Sequence, residues 1–229
     1  MDTSDSFDAA FDAACAFPYL TFAHLHSYVA TVDQFLQLAD DLQMKSIRDA
    51  LAAEVDPVAM GELNHELKHR GEEGATATRR LIWGGLLVSI YAAFEDGIDQ
   101  IFEHYRAANN GSRFKAKGRE DLLSAAARYS SDSLGLQLFA NANERAQLDQ
   151  LRELRRSFVH GGGRLDSLSP VTLSAIQAEL ARCPLEVVGD RWCADAFVAL
   201  HYLKTVAGVS RRFGSQVFGK MHIPPNSAS

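Results

Sequence analysis

From Leu20 to Leu42, apolar residues recur at helical rather than alternating spacing, at Leu25, Tyr28, Val29, Val32, Phe35, Leu36 and Leu42. This pattern predicts a long amphipathic helix. A shorter one follows before Asp56-Pro57, where the proline restricts the residue ahead of it. Another covers Met60 to His69, with Gly71 and Gly74 punctuating its end. The broadest apolar face belongs to Thr76 to Ala108, where Leu81, Leu86, Leu87, Ile90, Tyr91, Phe94, Ile98, Ile101, Phe102 and Tyr105 predict the central helix, stopped by "NNGS". Helices are expected again over Arg119 to Arg128 and Asn143 to Val159, with a short segment between them. In "SLSP", Ser169 is placed at an N-cap and Pro170 at the first helical position of a helix reaching about Arg182. A small hairpin turns around Gly189-Asp190, and the last helix runs from Ala194 to about Arg212.

No internal repeat, βαβ alternation or glycine-rich phosphate loop interrupts this series, so the fold class is all-α, a helical bundle. One domain over 1–229 accommodates it: N-terminal helices at about 20–70, a core at about 76–212, and a flexible tail at about 213–229. Hydrophobic residues at 47% and charged residues at 23% are the balance of a chain that folds around a core.

Charge and cysteines narrow the setting. A net charge of -6 argues against a surface that coats phosphates wholesale, although basic residues gather in "SRFKAKGR" (112–119) and at Arg152, Arg155, Arg156 and Arg164. Four Asp and no Lys or Arg in the first sixteen residues leave them without the positive and apolar regions of a secretory signal, so none is expected there. The run from Leu81 to Phe94 is shorter than the roughly 20 residues of a membrane span, so a buried helix and no membrane partner are expected. Cys15, Cys183 and Cys193 are an odd set without metal-ligand spacing, which fits reduced thiols in a cytoplasm.

Two stretches carry candidate chemistry. "HELKH" at His65 to His69 spells the HExxH of zinc metallopeptidases: residues i and i+4 put His65 and His69 on one helical face, Glu66 could activate a metal-bound water, and Glu95 is a candidate third ligand on the next helix. Its setting is polar, with Lys68 inside the motif and Asn64 and Arg70 beside it, so solvent-facing histidines are expected and zinc is the alternative.

The second stretch is "RRSFVHGGG", Arg155 to Gly163. It ends an amphipathic helix whose apolar side is Leu148, Leu151, Leu154 and Phe158. At 100° per residue, Arg156 and His160 lie about 40° apart around the helix and Arg155 and His160 about 140° apart. Gly161 is suited to the left-handed conformation that ends helices, which places His160 in the final turn. A capping histidine beside surface arginines is the plain alternative.

"RRSFVHGG" resembles the HEPN superfamily, all-α proteins whose catalytic members carry an Arg-x4-6-His motif late in the domain, with a small residue after the histidine. "LLVSIYAAFEDGIDQIF" is similar to the HEPN core helix that faces the motif, with Glu95 and Asp96 in its middle. The resemblance covers about Thr76 to Arg212; Arg156 departs from it, standing where a small polar residue is usual. It implies a HEPN-type bundle with extra N-terminal helices. It also implies a metal-independent endoribonuclease of toxin–antitoxin, phage-defence or RNA-processing systems, with RNA as substrate and no cofactor. Such an enzyme works as a homodimer with a composite site, alongside an antitoxin or defence-system partner. By resemblance Arg155 and His160 are catalytic, Glu95 orients one of them, and Arg156 joins the phosphate clamp. A non-catalytic interaction module is the alternative.

Overall fold

The computed structural model describes residues 3–53, 56–109, 112–118, 120–181 and 185–221, and the side chains among them other than those of 3–20, 68 and 70–72. The fold is all-α with one small antiparallel hairpin. Among the described residues six helices follow one another: α1 (Thr3–Ala53), α2 (Pro57–Asn109), α3 (Leu122–Leu134), α4 (Ala142–Gly161), α5 (Pro170–Glu179) and α6 (Ala196–Met221). A single 3-10 turn at Leu165–Ser167 follows α4, and β1 (Glu186–Val188) pairs with β2 (Arg191–Cys193) ahead of α6.

The first two helices are the frame. α1 starts far ahead of Leu20, and the break expected at Asp56-Pro57 is where α2 begins, with the Asp56 carboxylate accepting from the Val58 amide at 2.9 Å. The two run antiparallel: Asp40 pairs with Arg79, and Phe22, earlier on α1, shares a cavity wall with Ile101, later on α2. The helix expected to end near Gly71 and Gly74 does not end: α2 continues through both, so the boundary sought between 70 and 76 falls inside one helix. A glycine inside a helix costs only about 1 kcal/mol against alanine, and the established turns on either side carry the helix across it. Nothing packs within 4 Å of the positions that side chains at Gly61 and Gly74 would occupy, so these glycines mark an open surface rather than a stop.

The core gathers around the second half of α2. Leu87, Ile90, Phe94, Ile98 and Phe102 are buried there against Val29 and Leu36 of α1, Leu148, Leu151 and Leu154 of α4, and Tyr202, Val206 and Phe213 of α6. The stretch Glu73–Asn109 is long and apolar enough to cross a membrane by length and composition, and half of its most apolar window is buried in this core.

Two boundaries shift. α6 does not stop at Arg212, because Phe213, Val217 and Phe218 extend its buried face, and the tail expected from 213 is helical to Met221; its remainder, 222–229, lies outside the described residues. The helix expected at Arg119 begins instead at Leu122, capped by Asp121, whose carboxylate accepts from the Ser124 amide at 3.1 Å. Ser169 caps α5 and Pro170 opens it, as the sequence requires. Cys193 is a buried free thiol, and the side chains of Cys15 and Cys183 lie outside the described ones.

Candidate active site at the end of α4

α4 starts at a well-made cap. Asn141 Oδ1 accepts from the Glu144 amide at 2.9 Å, while Glu144 Oε2 accepts from the Ala140 amide and from Arg212, each at 2.7 Å. The helix then lays Leu148, Leu151, Leu154 and Ser157 on the core. Phe158 rests on Gly84 of α2 so closely that a Cβ there would collide with its ring. Only a glycine on α2 permits this approach.

The C-terminal end is locked in three ways. The Gly162 amide donates to Phe158 O at 2.9 Å and the Gly163 amide to Ser157 O at 3.2 Å, so the left-handed residues are Gly162 and Gly163, one place beyond the expected Gly161. Arg191 Nη1 of β2 donates to Gly162 O at 2.8 Å, setting a cation against the negative end of the helix. Buried Ser157 accepts from Trp192 Nε1 at 3.0 Å. These contacts fix the turn that carries His160, whose own side chain is exposed.

Arg155 and Glu95 are brought together. Arg155 is half-buried with its guanidinium over the Tyr91 ring, 5.5 Å from the centroid, and its Nε is buried without an acceptor among the described residues. Glu95 lies one turn beyond Tyr91 on α2. Its desolvation raises its pKa above the usual glutamate value, only partly offset by the positive charge of Arg155. Tyr91 is buried, and burial first and Glu95 second push its hydroxyl well above the usual phenol range, against the pull of Arg152 and Arg155. A cation, a carboxyl and a phenol thus share one half-buried corner between α2 and α4.

His160 and Arg156 are not part of that corner. Arg156 is 70% exposed, with Glu153 3.9 Å away, and it shares the outer side of α4 with His160 as the 40° offset requires. The other arginines of the basic cluster are neutralised. Arg152 pairs with Asp121 at 2.8 Å, Asp149 at 3.1 Å and Glu153 at 3.2 Å, and Arg164 pairs with Asp166 and Asp190. Tyr91 and Asp121 went unnoticed as site residues in the sequence. Tyr91 reads as one more apolar position of the central helix, and Asp121 falls inside the helix expected from Arg119, whereas the structure makes it the cap of α3.

The HELKH residues lie elsewhere. His65, Glu66 and His69 are exposed on α2, the two rings stacked 6.2 Å apart and His69 beside Glu73 at 3.5 Å. Glu95 is not on a neighbouring helix but on the same one, thirty residues further along, about 45 Å away at 1.5 Å per residue, so it cannot complete a site with them in one chain. Among the described residues, no group of three or more His, Cys, Asp or Glu side chains is placed to hold a metal. No protein-family model, no curated protein and no solved structure matches the chain.

Proposed function

We propose that the chain is a HEPN-type, metal-independent endoribonuclease that acts in the cytoplasm as a homodimer, as a toxin or phage-defence effector. The observation that carries this reading is the placement of Arg155, half-buried over Tyr91 beside Glu95, one turn before an exposed histidine at a glycine-ended helix terminus. RNA carries its own nucleophile in the 2'-OH, so the protein has to supply proton transfer near neutral pH and a cation for the developing phosphorane. His160 exchanges the proton. Arg155 meets the phosphate through its planar fork.

Within one chain these two side chains leave α4 about 140° apart. A two-fold partner supplies the complement, one protomer's His160 working opposite the other's Arg155. Glu95 orients Arg155, and the exposed Arg156 adds charge where RNA enters. Cleavage of a short RNA tests the reading. Arg155→Ala and His160→Ala each lower the rate by roughly 10²-fold or more, while His69→Ala and metal chelation leave it unchanged. Attack by the internal hydroxyl leaves a 2',3'-cyclic phosphate and a 5'-hydroxyl, so linear 5'-phosphate ends seen by mass spectrometry overturn the mechanism.

A second reading, a non-catalytic interaction module, is favoured by the apolar stripe of Tyr28, Phe35, Leu38 and Leu42, each more than half exposed on α1. Wild-type protein that cuts no RNA under any condition selects it.

A further inference from the structure

The second basic run, "SRFKAKG" at 112–118, joins α2 to α3 and has no part in the corner around Arg155. The fold anchors this loop without using its charges. Phe114 turns inward, its ring 4.9 Å from Phe102 and 5.5 Å from Tyr129. The backbone is tied to α3, where Tyr129 Oη donates to Ser112 O at 2.7 Å and Arg128 Nη2 to Lys115 O at 3.2 Å. Glu120 closes the far end: its Oε2 accepts from the Lys117 amide at 3.1 Å, and its own amide donates to Lys117 O at 3.0 Å.

The cations are left facing solvent. Arg113, Lys115 and Lys117 alternate with Phe114 and Ala116, and all three are exposed. Residues 112–117 form no helix, turn or bend. Alternate residues of such an extended stretch stand about 6.6 Å apart, close to the separation of successive phosphates along an extended nucleic-acid strand. The carboxylates nearby are already taken. Glu120 accepts from Arg128 Nη2 at 2.9 Å, Asp121 faces Arg152 at 2.8 Å, and Glu103 holds Arg106 at 2.8 Å with Arg113 3.5 Å away. Lys115 and Lys117 make no ion pair with a described residue.

The row also leads toward the candidate active site. Lys117 precedes Asp121 by four residues, at most about 14 Å of chain. Asp121 in turn grips Arg152, one turn before Arg155 and Arg156 on α4. We propose that residues 113–117 are a docking surface for the phosphate backbone of single-stranded RNA, a proposal that rests on the nuclease reading above. Lys115 and Lys117 each meet one phosphate, and Phe114 holds the row in place from beneath.

Fluorescence anisotropy with a short labelled single-stranded RNA tests this, using the full chain carrying His160→Ala so that the RNA stays whole. Affinity is expected to fall linearly with salt on logarithmic axes. Lys115→Gln with Lys117→Gln weakens binding roughly tenfold near physiological salt and makes the slope shallower by about 1.4, about 0.7 for each lost contact on a single strand. Lys115→Arg with Lys117→Arg keeps both values. Lys45→Gln with Arg48→Gln, which strips equal charge from α1, changes neither. Melting curves establish that the variants are folded, as expected when the loop is anchored through its backbone and Phe114. The surface is overturned by wild-type affinity and slope in the glutamine pair, by an equal loss in the α1 pair, or by duplex RNA or polyglutamate competing as well as the single strand. Cleavage by the wild type is scored separately. RNA that is cut, with binding indifferent to the loop, removes the surface and keeps the nuclease; loop-dependent binding without cutting removes the nuclease and keeps the surface.

Discussion

Arg155 and Arg156 are adjacent in sequence and opposite in circumstance. One is turned in over Tyr91 and the other is 70% exposed, so Arg155→Ala is expected to lower kcat and Arg156→Ala mainly to raise KM in RNA cleavage. Glu95 adds a pH dependence whose sign is fixed by its desolvation. Its folded pKa lies above the ordinary 4.5, so the folded state binds the proton more tightly than the unfolded one. This contribution to stability is complete below 4.5 and is lost as pH rises through the folded value. Thermal melts between about pH 4 and pH 8 should therefore show Glu95→Gln gaining on the wild type as pH rises, then holding a constant lead. A lead that shrinks with rising pH would show that attraction to Arg155 outweighs burial. The motif spacing was legible at this scale because Arg155 and His160 belong to one helix. The company Arg155 keeps was not, because Tyr91 and Glu95 reach it across a helix–helix contact that leaves no local pattern.

Helix ends were read well where capping chemistry wrote them and poorly where a glycine was the only sign. Ser169-Pro170 opened α5 as expected, and the hairpin turned at Gly189-Asp190. Gly74 failed as a stop because α2 had neither a cap nor a competing turn there, and α6 outran Arg212 because its apolar face resumes at Phe213. The end of α4 shows what a true stop requires, namely two left-handed glycines, a closing pair of amide bonds and the Arg191 cation. Ser157 joins that end to β2. Ser157→Ala leaves Trp192 Nε1 buried without its acceptor and should cost about 1–3 kcal/mol, read as a lower midpoint in urea with an unchanged slope. An unchanged midpoint would mean that the α4–β2 junction does not depend on this bond.

At the scale of the whole molecule, the outer halves of α1 and α2 form an arm with little core behind it: among the described side chains of 57–82 none is buried, and beyond Leu36 on α1 only Ile47 is. Amides of 37–53 and 57–79 should therefore exchange with solvent well before those of 86–102, and uniform protection along α2 would contradict a separately opening arm. Nothing in the sequence announced this arm, because an amphipathic pattern shows that a helix has a partner without showing how much of the molecule stands behind it. A composite active site further requires two chains, and sedimentation equilibrium at micromolar concentration should find a dimer; a strict monomer with and without RNA removes the proposed mechanism. The arm also bears on how the chain can change in length. Seven residues added to α1 alone would slide its apolar seam against α2 and strain the register held by Asp40 and Arg79, whereas seven added to each helix near the Pro57 turn would lengthen the projection and leave the body untouched. Length variation in such a protein is tolerated in matched pairs of insertions or deletions, one on each side of the tip.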